Sequence, residues 1–275
     1  MLRRTTVLVG SFVVLAISMV LAADIQSPLG LSAEQIIERN IAARGGLQAW
    51  RAVQSLSMRG TMEAGGNDSP TRPVPAVRTG GVQLPKRPAQ QTQLPFRLQM
   101  KRARKSRLEI DFRGETAVQV FDGTHGWKLR PFLNRHDVES FTPDEMKAVA
   151  LQSDLDGPLV DYSAKGTKIE LEGTEKVESQ DAYRLKLTFK TGDARKVWID
   201  ANTFLEIKIE GTPRRLDGIN HPVEIYYRDY RTVGRLKMPY LTETKVQGVK
   251  QTEKIEVEEI AVNARVEDSR FAKLQ

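Results

Sequence analysis

Three histidines occur in the 275 residues, and none has the company that histidine chemistry needs. His125 lies in the run Asp122-Gly-Thr-His-Gly126, His136 follows Arg135, and His221 precedes Pro222. No second histidine stands at metal-ligand spacing, and the sequence contains no His-Glu-x-x-His, Gly-x-Gly-x-x-Gly or Walker pattern. A Gly-x-Ser-x-Gly elbow is also missing. Cysteine is absent, which excludes a thiolate nucleophile, a thiolate metal site, a disulfide framework and a lipid-modified cysteine. Asp154 and Asp156 are near enough in sequence to share a cation, but two carboxylates ending a helix are ordinarily exposed and solvated. The expectation is no catalytic residue, no metal and no cofactor. A hydrolase with dispersed residues is the third-ranked reading, since triads assemble from distant positions.

Apolar side chains must then do the work, and their spacing says which elements hold them. Ser32 and Gln35 form a capping box, and Ile36, Ile37 and Ile41 follow at helical spacing. Gly45-Gly46 ends that helix, with Leu47, Trp50 and Val53 in one further turn. From Leu56 the period becomes 2. Tyr183, Leu185, Leu187 and Phe189 share one face, and Leu205, Ile207 and Ile209 alternate with Glu206, Lys208 and Glu210. Ile255 and Val257 alternate with charges, then slip phase to Ile260 and Val262, which predicts a bulge at Glu258-Glu259. Punctuation at Asp122-Gly123, Gly192-Asp193 and Asp200-Ala201-Asn202 gives about ten or eleven strands. One apolar face per strand predicts a mainly β, curved antiparallel sheet with one wet side, covered by another layer.

A second helix interrupts the strands. Thr142-Pro143-Asp144-Glu145 supplies a cap, a proline at the first helical position and a carboxylate at the third. Met146, Val149, Ala150 and Leu155 make its apolar side, and Gly157-Pro158 stops it. Such a helix is either a permanent cover or a lid, and spacing alone favours the cover.

The two ends of the charge distribution differ. Arg3-Arg4, the apolar run Val7–Leu21 and Ala22-Ala23 form a secretory signal pattern over residues 1–23. The run is 15 residues, shorter than the roughly 20 a spanning helix needs. Its removal would leave 252 residues, one domain over 24–275, and lower the formal charge from +7 to +5. Residues 64–107 carry six prolines, ten Lys or Arg and one acid, Asp68. Within them, 64–95 is expected to be a flexible basic loop. Lys101, Arg102, Arg104 and Lys105 form a basic turn between strands holding Phe96, Leu98, Met100 and Leu108, Ile110, Phe112. An exported chain rarely meets nucleic acid, so an anionic membrane surface or an acidic partner is the expected contact, against a solvated turn that touches nothing. Asn67-Asp68-Ser69 fits a glycosylation sequon.

Several stretches together resemble the periplasmic lipoprotein-carrier superfamily typified by LolA. They are Ile36–Gly46 running on to Trp50, Leu56–Thr61, Phe121–Trp127, Ala194–Asp200, Tyr230–Pro239 and Asn263–Phe271, in the expected order. The resemblance implies an incomplete β-barrel, with an N-terminal helix and an inserted helix covering its concave face around an apolar acyl-chain cavity. It also implies a non-catalytic, monomeric periplasmic carrier of lipid or acylated protein, served by an inner-membrane transporter. The expected liners are Phe96, Leu98, Met100, Ile110 and Phe112 on the sheet and Met146 and Val149 on the lid helix, with Trp127 and Phe132 at the rim. For each of these residues taken singly, ordinary core is the stronger reading. The basic stretch at 64–95 departs from compact members of that superfamily. A sensing module on the same fold, binding a protein or peptide, is the second reading.

Overall fold

The computed structural model describes residues 30–65, 91–131, 135–216 and 218–275. The signal pattern, the sequon, Phe132 and most of the basic loop lie outside those residues.

Helix α1 (Ala33–Ala43) begins where its capping box requires. The Ser32 amide donates to Gln35 Oε1 at 2.9 Å and the Gln35 amide to Ser32 Oγ at 3.3 Å. Such a cap contributes about 1 kcal/mol. Gly45, at φ +113°, then lets the chain turn into α2 (Leu47–Arg51). A Cβ on Gly45 would stand 2.1 Å from the Arg235 carbonyl oxygen.

Among the described residues thirteen strands form one antiparallel sheet, more than the period-2 pattern reveals. The first six are β1 (Ser55–Gly65), β2 (Gln91–Lys101), β3 (Lys105–Phe112), β4 (Glu115–Phe121), β5 (Gly126–Arg130) and β6 (Arg135–Ser140), forming a meander. A second run holds β7 (Lys168–Val177), β8 (Gln180–Thr188), β9 (Ala194–Asp200), β10 (Glu206–Glu210), β13 (Val223–Val233), β14 (Leu236–Val246) and β15 (Glu253–Val262). Strands β11 (Arg214–Leu216) and β12 (Ile219–His221) make a separate small hairpin. The sheet runs from edge strand β6 to edge strand β7, and the two halves join where β1 pairs with β15. The barrel is therefore incomplete. Strands β6, β11 and β12 escape the pattern because they are short or polar and carry no apolar alternation.

The expected bulge in β15 is present: Arg59 pairs with Glu259 but Gly60 with Val257, so Glu258 is the extra residue. A second bulge was not expected. Between Glu206 and Lys208 the β10 register shifts against β9, and this splits the supposed face of Leu205, Ile207 and Ile209. Ile207 turns outward onto Trp198 and Tyr226, while Ile209 joins the inner core. Strand β2 also starts earlier than expected, since Gln91 already pairs with Gly65.

Both faces are covered, by different means. On the inner face, Ile36 and Ile37 of α1 are fully buried against Tyr183, Leu185, Leu187 and Ile199. Burial of each such side chain is worth about 1.5–3 kcal/mol. Trp50 and Val53 pack there with Leu56, Met100, Leu155 and Val160. On the outer face, Val266 and Phe271 of the C-terminal segment cover Val118 and Val120.

Candidate functional site: an inner-face cavity under the third helix

Helix α3 (Pro143–Gln152) has its expected capping box at Thr142 and Glu145. It ends at Gln152, five residues before Gly157, so Leu155 belongs to a buried turn beyond it and packs near Trp50. Although α3 is amphipathic by sequence, none of its residues is buried. A helix that served only as core cover would bury its apolar stripe. This one roofs a space.

The space is a cavity of about 860 Å³, large for a small-molecule site. Ala150 and Leu151 of α3 form its roof, and Gly157 and Pro158 one wall. The floor is the inner face of the second half-sheet, including Phe189, Ile209, Val223, Ile225 and Tyr227. Period-2 pairing puts Ile209 opposite Ile225 across the β10–β13 ladder, so both point inward together. Arg104, Lys165, Lys190, Arg195 and Arg214 also reach the lining, against one lining carboxylate, Asp154.

The roof helix is fixed at its two ends. Lys128 on β5 is buried and donates to both oxygens of Glu145, at 2.6 and 2.5 Å. Burial alone would raise the Glu145 carboxyl; hydrogen bonds from Lys128 and the Thr142 amide override it and hold the group below its ordinary value. At the far end Ser106 and Ser153 share a hydroxyl hydrogen bond of 2.7 Å. Beyond it Asp154 pairs with Lys165 at 2.7 Å.

The expected liners fall into three groups. Phe96, Leu98, Met100, Ile110 and Phe112 do lie on the inner face, with Phe96 opposite Ile110 and Leu98 opposite Leu108. None of them borders the 860 Å³ cavity, which opens on the other half of the sheet. Met100 is filled core beside Trp50, and Leu98 packs against that cluster. Met146 and Val149 sit half-buried on α3, one turn from the residues that form the roof. Trp127 is on the outer face: it pairs with Val120, packs with the C-terminal cover and stacks on His125 at 6.0 Å. The residues that line the cavity had a sequence signal, since Arg195, Val197 and Ile199 alternate and place a charge in an inward phase.

The basic turn is mostly occupied within the molecule. Arg102 binds Asp156 through two nitrogens, at 2.9 and 2.6 Å, and donates to the carbonyls of Trp50 and Val53. Asp156, expected to be exposed, is 3% exposed. Lys101 and Lys105 both reach Asp268, at 3.3 and 2.9 Å. Arg104 is exposed and lines the cavity. The turn is thus a set of struts plus one cavity residue. Among the described residues no group of three or more His, Cys, Asp or Glu is placed to hold a metal ion, and no helix is long and apolar enough to cross a membrane.

An open antiparallel sheet curled around helices is a fold that this chain shares with LolA superfamily structures. A LolA superfamily protein from Nitrosomonas europaea superposes with TM-score 0.54 at 13% identity, covering 88% of this chain and 98% of that one. A domain from Vibrio parahaemolyticus, named as an outer membrane lipoprotein-sorting protein domain, gives 0.54 at 12% identity over 86% and 95%. A DUF1329 family protein from Desulfovibrio piger gives 0.53 at 12% identity over 87% and 96%. No protein-family model and no curated protein matches the chain. At these identities the likeness is one of fold, and it agrees with the resemblance read from the sequence.

Proposed function

We propose that this protein is a non-catalytic periplasmic carrier that shelters the acyl chains of a lipid or lipoprotein in the cavity beneath α3. The observation that carries this reading is a roof helix with no buried residue over an 860 Å³ space floored by Phe189, Ile209, Ile225 and Tyr227. Each acyl methylene moved from water onto such a floor contributes about 0.8 kcal/mol, so about ten methylenes match the roughly 8 kcal/mol of micromolar binding, before the cost of association. No covalent step is needed. The names of the fold neighbours, lipoprotein sorting among them, support the same reading. On this reading cargo is received at the inner membrane from a transporter and meets the cavity, to which the Lys101–Lys105 turn contributes Arg104.

The test is mass spectrometry of mature protein purified without detergent, once under native conditions and once after organic extraction. A lipid or acylated peptide at defined stoichiometry is the expected result. Protein that is folded and monodisperse, carries no acyl species, and takes up none from added vesicles would overturn the proposal.

A further inference from the structure

Two half-buried polar groups in the cavity lining keep donor capacity that no described residue uses. Arg195 sits on β9 in the inward phase of Val197 and Ile199, both core residues. Burial pushes its guanidinium below the usual value, opposed by the Tyr227 phenol and the Asp193 and Glu210 carboxylates. Among the described residues no carboxylate lies within ion-pair distance of it, and its hydrogen bond is from Nη2 to Thr212 Oγ1 at 2.8 Å. A guanidinium offers five N–H donors in a fork shaped for a carboxylate or phosphate, and most of that fork is unused.

Tyr227 on β13 faces the same space. Its hydroxyl makes no hydrogen bond to any described residue, and burial raises it well above the ordinary phenol value, so it remains a neutral donor. The other cavity cations divide by place. Lys165 is paired with Asp154, and Arg214 with Glu253 through two hydrogen bonds of 2.6 and 2.8 Å. Arg104 and Lys190 are exposed, stand at the mouth, and have no acid partner among the described residues. The lining is therefore positive, and among the described residues Arg195 is its half-buried cation without an acid partner, on the same wall as Tyr227. Donors in a low-dielectric cavity bind an anion more strongly than they would in water.

We infer that the Arg195 guanidinium and the Tyr227 hydroxyl form an anion site inside the cavity, taking the carboxylate or phosphate of an amphiphile whose acyl chain lies on Phe189, Ile209 and Ile225. The inference rests on the carrier reading and narrows its cargo to anionic amphiphiles.

Binding of four probes to the delipidated full chain tests it: palmitate with its neutral methyl ester, and dodecyl phosphate with neutral dodecanol. A charged hydrogen-bonded contact of this kind is worth about tenfold or more in affinity. The charged member of at least one pair should bind about tenfold more tightly. The Arg195→Met variant should erase that preference by weakening the charged probe relative to its neutral partner, and Tyr227→Phe should reduce it. Preference in the palmitate pair alone assigns a free fatty acid, and preference in the phosphate pair alone assigns a phospholipid-type headgroup. Equal binding within both pairs overturns the anion site and leaves the carrier reading standing. Binding by none of the four overturns both. The wild-type comparison needs no variant, so misfolding of Arg195→Met does not remove the test.

Discussion

The Arg102–Asp156 pair makes an asymmetric prediction. Asp156 has a side chain 5% exposed and Arg102 one 33% exposed, and the pair ties the β2–β3 turn to α2 and to the buried turn after α3. Truncating Arg102 to alanine strands a carboxylate that has no other side-chain partner among the described residues. Breaking a buried pair in this way costs about 3–5 kcal/mol. The opening left by the guanidinium admits water, so the lower end, about 3 kcal/mol, applies here. Truncating Asp156 instead leaves Arg102 donating to the Val53 and Trp50 carbonyls, at 2.6 and 2.9 Å, with its exposed third still in water. That loss is about 1–2 kcal/mol. In a domain of this size each kcal/mol shifts Tm by roughly 2–4 °C, so Arg102→Ala should fall roughly 6–12 °C and Asp156→Ala roughly 2–8 °C. Urea unfolding at matched m-values measures both. Equal losses, or a larger loss for Asp156→Ala, would refute the assignment of Arg102 as a strut over a buried charge.

Two further outcomes follow from the roof and the first turn. Because Lys128 and the capping amide hold Glu145 below its ordinary value of 4.5, its contribution is present above that value and is lost as pH falls through the depressed one. Opening of α3 read by hydrogen exchange should increase selectively as pH falls below 4.5; uniform opening across the sheet would contradict the tether. Gly45→Ala places a methyl group against the Arg235 backbone at a positive φ. It should lower stability by at least about 2 kcal/mol in chemical denaturation, and a neutral result would deny the close approach.

Legibility from the sequence followed the kind of signal. Capping boxes are local hydrogen-bond chemistry, and those at Ser32 and Thr142 stand where the residues put them. The β15 bulge was also visible, because the phase slip from Val257 to Ile260 is written in one strand. The β10 bulge was hidden, since Lys208 reads as a solvated residue. In the structure it lies buried over Trp198, its ammonium 3.8 Å from the ring centroid. The face of each strand was legible, and the position along the sheet was not. Phe96 and Ile225 both point inward, but only tertiary placement of α3 decides which half of the sheet is left unfilled. Trp127 was misplaced for a related reason: a tryptophan near a turn looks the same whether the C-terminal segment or the cavity lies beside it. The basic turn misled because its acids, Asp156 and Asp268, are 54 and 163 residues from Arg102 and Lys105.

The seam between the half-sheets sets the order in which this chain can fold. Leu56 pairs with Val262, so the contact that joins the two meanders is made by the first strand and the last. Neighbouring strands within each meander can pair over short loops, but the seam must close a loop spanning nearly the whole chain. Loop-closure entropy makes such a step late and slow. Until it happens, β1 and β14 both present open edges, the surfaces most prone to pairing with another molecule. The vulnerable interval in the life of this protein is therefore the time before β15 arrives, and a chain stalled short of Glu253 would hold two half-sheets with nothing between them.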